Sequence, residues 1–278
     1  MVATDPHDVV GDPRDGTDQA AIARVYDRHA AVEYERLDRS LRHRAEFVLS
    51  AELLDEYVAP GAEVLDVGAG PGRYAEHLLG RGCRVGLTDL SANSLRLFEE
   101  RIEPDLADGV LFCRQGSATD LGWLASESFD VVLLMGPLYH LVSRVERHAA
   151  LREAWRVLRP DGVVVTAYIS AYKNMVEAVA DGDGDEVERL RAGGPTTHLG
   201  MQQYRTWPRL ATEELAEAGF EVLRTRNLEG LASLLDLDTL EAHDDEAFFA
   251  MLRKTCELPD LLGATLHFAC VARRLADA

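Results

Sequence analysis

The sequence predicts an α/β fold: a doubly wound, mostly parallel sheet of seven strands, preceded by a helical cap. Three observations predict it. From residue 61 onward, short apolar runs alternate with segments of helical periodicity, as repeated β-then-α units require. One run, Phe129–Met135 (FDVVLLM), is almost continuously apolar, as in a strand covered on both faces. The chain's 278 residues are enough to bury one sizeable core.

Residues 1–18 are rich in Asp, Gly and Pro with little apolar content, and are expected to form a flexible acidic tail. The remainder, 19–278, is expected to form one domain. Within 19–60, Ile22, Val25, Tyr26, Leu37, Leu41, Val48, Leu49, Leu53 and Leu54 recur at three-to-four spacing, which predicts two or three cap helices ending before Pro60-Gly61. Alternation follows over 61–170. Strands are predicted at Glu63–Val67, Arg84–Thr88, Val110–Gln115, Phe129–Met135 and Val163–Ile169. Helices are predicted between them at Tyr74–Gly80, Ser91–Arg101 and Arg144–Leu158, with Ser91 as an N-cap and Arg159-Pro160-Asp161-Gly162 as a stop. Residues 171–205 break the rhythm with glycine clusters and mixed polarity, as a mobile lid over a site does. Beyond the lid, 206–278 predicts a helix at Pro208–Ala218, a strand at Phe220–Arg226, a helical region at about Leu231–Leu258 and a last strand at Leu266–Arg273.

Charge and composition exclude several functions. Forty-eight acidic residues against 29 basic ones give a net charge of −19, and Lys173 and Lys254 are the only lysines. So acidic a chain repels polyanions, so nucleic acid is not an expected partner. No run of about 18 apolar residues is present to span a membrane. The N-terminus lacks both a basic and an apolar signal region, which predicts a cytoplasmic protein. Cys83, Cys113, Cys256 and Cys270 are scattered with no C-x-x-C pair, so no metal site is expected. Three of them fall in or beside predicted strands, where cysteine acts as a small apolar residue.

The chemistry-bearing stretch is Val64–Tyr74, VLDVGAGPGRY, in which three glycines stand at alternate positions behind an apolar run. A dinucleotide fingerprint would need G-x-G-x-x-G, and Arg73 stands where its third glycine would. That weighs against an NAD(P)-dependent oxidoreductase. A G-K-[ST] ending is also missing, which excludes a nucleoside-triphosphate loop.

On the motif Asp66-Val67-Gly68-Ala69-Gly70-Pro71-Gly72, the chain resembles the class I, Rossmann-like methyltransferases that use S-adenosylmethionine (AdoMet). The resemblance is strong over Val64–Ile169 and looser beyond. It implies that Gly68 and Gly70 let backbone approach the amino-acid part of AdoMet, with Asp66 near its ammonium and Ala69 and Gly72 also in the cofactor-binding turn. Asp89 ends the second strand 17 residues past Gly72, where a carboxylate accepts both hydrogen bonds of a ribose diol; Leu90 follows it. The third motif, Gln115-Gly116-Ser117-Ala118-Thr119-Asp120, carries Ser117 where the family commonly has an acid. The adenine contact is thereby left to Ser117, Ala118 or Asp120.

The fourth motif, Met135-Gly136-Pro137-Leu138-Tyr139-His140-Leu141, closes the fourth strand and is expected to face the methyl donor. It lacks the amide or acid of base N-methyltransferases, and no Pro-Cys dipeptide for cytosine methylation exists in the chain. The strand end offers no acid for a catechol-type metal either. What remains is metal-free transfer to O or N of a small-molecule acceptor, with a non-catalytic AdoMet-binding protein as the alternative. His140 is the candidate base, because a neutral imidazole accepts a proton near pH 7, and Tyr139 is expected to pack on donor or acceptor. Tyr26, His29, Tyr34 and Arg36 on the cap are candidates to close over AdoMet, Arg36 by pairing with the methionine carboxylate. Tyr168, His198, Tyr204 and Trp207 are candidates to line an acceptor site.

Overall fold

Five parallel strands form the frame: β1 (Glu63–Val67), β2 (Arg84–Asp89), β3 (Val110–Gln115), β4 (Phe129–Leu134) and β5 (Leu158–Ser170). They lie in the order β3-β2-β1-β4-β5. The computed structural model describes residues 16–198, 201–235 and 245–275, and the first fifteen residues of the expected tail lie outside them. Side chains along β1, β2, β4 and β5 alternate between two buried faces. Val64, Val85, Leu87, Val131, Leu133 and Val165 pack with α3 (Arg73–Gly80) and α4 (Ala92–Arg101), while Leu65, Val67, Val132, Leu134 and Val164 pack with α5 (Arg144–Val157). Both faces are therefore covered, and the expected double winding holds.

The predicted helix N-cap at Ser91 forms as expected, its hydroxyl accepting from the Ser94 N–H at 3.0 Å. The stop after α5 acts differently. The strand begins directly at Leu158, which pairs with Phe129, and regular register returns only at Val131↔Val163. Asp161 takes φ +62° inside this bulge, because Pro160 and Gly162 break the ladder without ending the strand.

Among the described residues the sheet has nine strands, two more than the seven expected. Antiparallel to β5 runs β9 (His267–Arg274), and antiparallel to that runs β8 (Phe220–Asn227), after α8 (Pro208–Glu217). These complete the expected seven. The additional pair is a hairpin of β6 (Gly194–His198) and β7 (Met201–Thr206), whose β7 joins β5 only at Ile169↔Arg205 and Ser170↔Thr206. Together with α6 (Tyr172–Asp181) and α7 (Gly184–Arg191) it makes up the segment expected as a loose lid.

The cap consists of α1 (Gln19–Arg36) and α2 (Leu41–Tyr57). Leu41, Ala45 and Leu49 of α2 pack with Phe248, Phe249 and Leu252 of α9 (Asp245–Thr255), which lies in the expected C-terminal helical region. Residues 236–244 of that region fall outside the described ones. Cys83, Cys256 and Cys270 are buried and Cys113 is half-buried, all four as free thiols.

Candidate active site

The carboxyl ends of β1, β2 and β4 open into one cleft beneath α1, at the place where ligands bind in doubly wound sheets. Its walls enclose about 1180 Å³, open mouth included. Among the predicted residues, Asp66, Gly68, Ala69, Gly70, Asp89, Leu90, Ser117, Ala118, Met135, Gly136, Tyr139, His140 and Arg36 all line it.

The three glycines of the turn take φ of +70°, +54° and +82°, yet they serve different purposes. A Cβ on Gly68 would meet Pro137 Cδ at 2.8 Å, and one on Gly72 would meet the Phe98 ring at 2.2 Å. These two let the turn dock on the β4 loop and on α4. Gly72 does not line the cleft at all; it caps α3. Gly70 differs, because a Cβ there would point into open space. It alone matches a backbone left bare for a ligand.

Two carboxylates flank the turn. Asp89 accepts the Gly70 N–H at 2.8 Å on one oxygen and the Ser91 N–H at 2.7 Å on the other. Burial raises its pKa, and these two N–H groups oppose the rise. Each oxygen keeps a second lone pair for a ribose hydroxyl. Asp66 is 2 % exposed, and its Oδ2 has no hydrogen-bond partner. Burial, with the nearby Asp89, pushes its pKa up to about 7. A buried, unpaired carboxylate oxygen in the cleft wall is the feature a ligand ammonium would complete. The residues therefore fit AdoMet: Asp66 for the ammonium, Gly70 for the amino-acid end, Asp89 for the ribose. Of the adenine candidates, Ser117 and Ala118 line the cleft, whereas Asp120 turns away and accepts the Gly122 N–H.

The cap residues correct the sequence reading. Tyr34 does not line the cleft. Its ring lies between the Arg73 and Arg101 guanidinium groups and its hydroxyl donates to Glu76 at 3.1 Å. Tyr26 occupies the cleft instead, hydrogen-bonded to His140 Nε2 at 2.8 Å. Helical arithmetic contains the signal: from Ile22, Tyr26 stays on the same face one turn on, while Tyr34 has rotated by about 120°. Arg36 reaches the cleft already engaged, paired with both oxygens of Glu46 at 2.6 and 2.9 Å and with Glu33 at 2.7 Å. The methionine carboxylate would have to share it.

His140 is also changed by its surroundings. It is 7 % exposed, its Nε2 is held by Tyr26, and its Nδ1 is buried without a partner. Burial and then the Arg205 charge lower its pKa to about 4, so it is neutral at pH 7 but a weak base.

No described residue of 171–205 lines the cleft. The hairpin instead braces the β4 loop from behind, the Tyr204 N–H donating to the Tyr139 carbonyl at 2.7 Å. Tyr168 is fully buried against Phe268, the Tyr204 ring carries the Arg147 guanidinium, and Trp207 donates to the Leu190 carbonyl. None of them lines the cleft, and the His198 side chain lies outside the described residues. The cover over the site is α1, through Gln19, Ile22, Tyr26 and Glu33.

One buried cluster escaped sequence reasoning because its members come from distant segments. Glu46, Glu229 and His267 each place a ligand-type atom within 4.8 Å of the others. Arg36 neutralises Glu46, and the Thr265 hydroxyl and His267 N–H occupy Glu229, so the group is a charge-paired network.

Residues 65–166 match the family described as "Methyltransferase domain". The chain is a class I AdoMet-dependent methyltransferase. The methyltransferase is 29% identical over 217 residues to the demethylmenaquinone methyltransferase of Mycolicibacterium paratuberculosis, covering 75% of this chain and 86% of that relative. In fold it is similar to a Burkholderia thailandensis 1,6-didemethyltoxoflavin-N1-methyltransferase solved with bound 1,6-didemethyltoxoflavin and S-adenosylhomocysteine. That likeness has a TM-score of 0.59 at 18% identity and covers 99% and 94% of the two chains. A Methanosarcina mazei SAM-dependent methyltransferase superposes with a TM-score of 0.58 at 18% identity over 81% of this methyltransferase and 98% of its own chain. No described helix of the methyltransferase is long and apolar enough to cross a membrane.

Proposed function

We propose that the enzyme transfers the AdoMet methyl group to an oxygen or nitrogen of a small acceptor, with no metal in the site. AdoMet supplies the methyl on a sulfonium that is its own leaving group. The protein's task is then to align the acceptor, exclude water and remove a proton. The observation that carries this reading is the unpaired buried oxygen of Asp66, in one cleft with the doubly bonded Asp89. A donor held there lies over β2, β1 and β4, leaving the space toward β5 and β9 for the acceptor. Met135 and Gly136 at the β4 end bring a thioether and backbone, with no carboxylate for a divalent cation.

The relatives' name concerns demethylmenaquinone, a ring that lacks a methyl on carbon, so ring carbon is the second acceptor atom the test must cover. Ile22, Leu37, Leu141, Ala167 and Leu228 give this cleft an aliphatic lining suited to a planar ring. The test is formation of S-adenosylhomocysteine from AdoMet with a panel of phenols, amines and reduced demethylmenaquinone. Turnover that needs an acceptor and persists in a chelator supports the reading. Turnover abolished by chelation and restored by a divalent cation overturns the metal-free part, and tight AdoMet binding with no acceptor in the panel overturns the acceptor class.

A further inference from the structure

We infer that His267, held by Glu229, is the catalytic base that takes the acceptor's proton, and that the acceptor therefore presents an O–H or N–H group. This rests on the methyl transfer proposed above and names the residue that serves it. His267 opens β9, level with Ile169 at the carboxyl end of β5. It lines the cleft together with Ala167 and Leu228, on the side of β4 away from Asp89. Its position is thus over the acceptor's space.

The imidazole is oriented as a base must be. Nδ1 donates to Glu229 Oε1, which fixes the tautomer and leaves the Nε2 lone pair bare; Nε2 has no hydrogen bond among the described residues. A purely structural tie does not need this ring. The other Glu229 oxygen already joins the turn to the strand, accepting from the Thr265 hydroxyl and the His267 N–H, each at 2.8 Å. The groups facing the ring from neighbouring elements are Glu229, Glu46 of α2 and Arg36 of α1, with His43 and Tyr74 behind Glu46. Burial lowers the His267 pKa, but the two carboxylates outweigh it and Arg36, so the net shift is upward. His140, with its depressed pKa and occupied Nε2, is the poorer base of the two.

In the step itself, Nε2 takes the acceptor's O–H or N–H proton. The pair left on that atom forms the bond to the methyl carbon, whose former bonding pair stays on the donor's sulfur. Glu229 stabilises the imidazolium formed, which afterwards returns its proton to water.

Two measurements on the full chain test this. Diethyl pyrocarbonate acylates neutral imidazole at an accessible nitrogen, and peptide mass spectrometry across a pH series reads each histidine separately. His267 should react, with a midpoint above that of an ordinary histidine, and Glu229→Gln should move that midpoint down. This arm requires no acceptor and stands even if the methyl-transfer reading fails. With the acceptor that gives turnover, His267→Gln should lower kcat by about 10²–10⁴-fold, the usual range for a lost general base, with AdoMet affinity within twofold and an unchanged circular dichroism spectrum. His267→Gly should regain rate with added imidazole. An unreactive His267, a midpoint indifferent to Glu229→Gln, or a His267→Gln enzyme as fast as the parent overturns the inference. If His267→Gln does not fold, the Glu229→Gln midpoint and its pH–rate profile decide the matter.

Discussion

Asp89 Oδ2 accepts the Gly70 N–H at 2.8 Å, joining the end of β2 to the tip of the glycine turn across the mouth of the cleft. The carboxylate proposed to hold the ribose therefore also shapes the turn proposed to meet the amino-acid end. Asp89→Ala should weaken AdoMet binding by about 1–3 kcal/mol, and it should also cost about 1–2 kcal/mol of stability by stripping two backbone N–H groups of their acceptor. Calorimetry and urea unfolding measure the two effects. Unchanged affinity alongside lost stability would reduce Asp89 to a turn-shaping residue.

The glycines separate by substitution. Gly70→Ala meets no protein atom, so its cost to the fold should stay near the backbone strain of about 1–2 kcal/mol, while AdoMet affinity drops. Gly72→Ala drives a methyl into Phe98 and should lose more stability. Equilibrium dialysis with labelled AdoMet, beside thermal melts, checks the contrast. Equal donor affinity in Gly70→Ala and the parent would mean that all three glycines serve chain geometry.

Asp66 predicts a pH dependence. Its folded pKa, raised to about 7, lies above the roughly 3.9 of an unfolded chain. The folded state thus binds the extra proton, and this group's contribution to stability falls as pH rises from about 4 to about 7. Donor binding runs the other way, because only the ionised carboxylate pairs with an ammonium. S-adenosylhomocysteine affinity should rise with pH up to about 7 and then level off. Asp66→Asn should flatten both curves; a binding curve that keeps its slope in this variant would assign it to another group.

The two cap tyrosines give a direct comparison. Tyr26→Phe removes the hydroxyl that bonds His140 inside the cleft and should weaken donor binding by about 1 kcal/mol. Tyr34→Phe loses only a contact to Glu76 outside it and should leave binding unchanged. The reverse ranking in calorimetry would restore Tyr34 to the site.

Much of this was legible in the sequence because it is local. Hydrophobic alternation, the Ser91 cap and the D-x-G-x-G-x-G spacing each occupy a few consecutive residues, so the parallel frame and the cleft residues at its carboxyl ends followed from them. The β6–β7 hairpin was hidden by its glycine-rich, mixed-polarity segment, which has no clean strand period and is fixed by pairing with β5. Tyr26 and Tyr34 stood side by side as candidates, although the helix phase already favoured the former. The Arg36–Glu46–His267–Glu229 network was out of reach, since its members come together only when α1, α2 and the start of β9 converge.

The manner in which α1 is fastened sets a tempo for the enzyme. Only Ala21, Ile22 and Ala30 of this helix are buried, so little apolar area holds it down. Its clasps are polar: Thr17 on Glu146 and the His140 carbonyl, Asp27 on Ser91 and Asn93, Tyr26 on His140. If donor and product pass beneath it, these clasps must release together at each exchange, and that release is expected to pace turnover. Amide exchange over residues 19–36 should slow when S-adenosylhomocysteine binds, and Asp27→Ala should hasten product departure. In that sense the enzyme's clock is wound by a few hydrogen bonds at its N-terminus, far along the chain from the base that handles the proton.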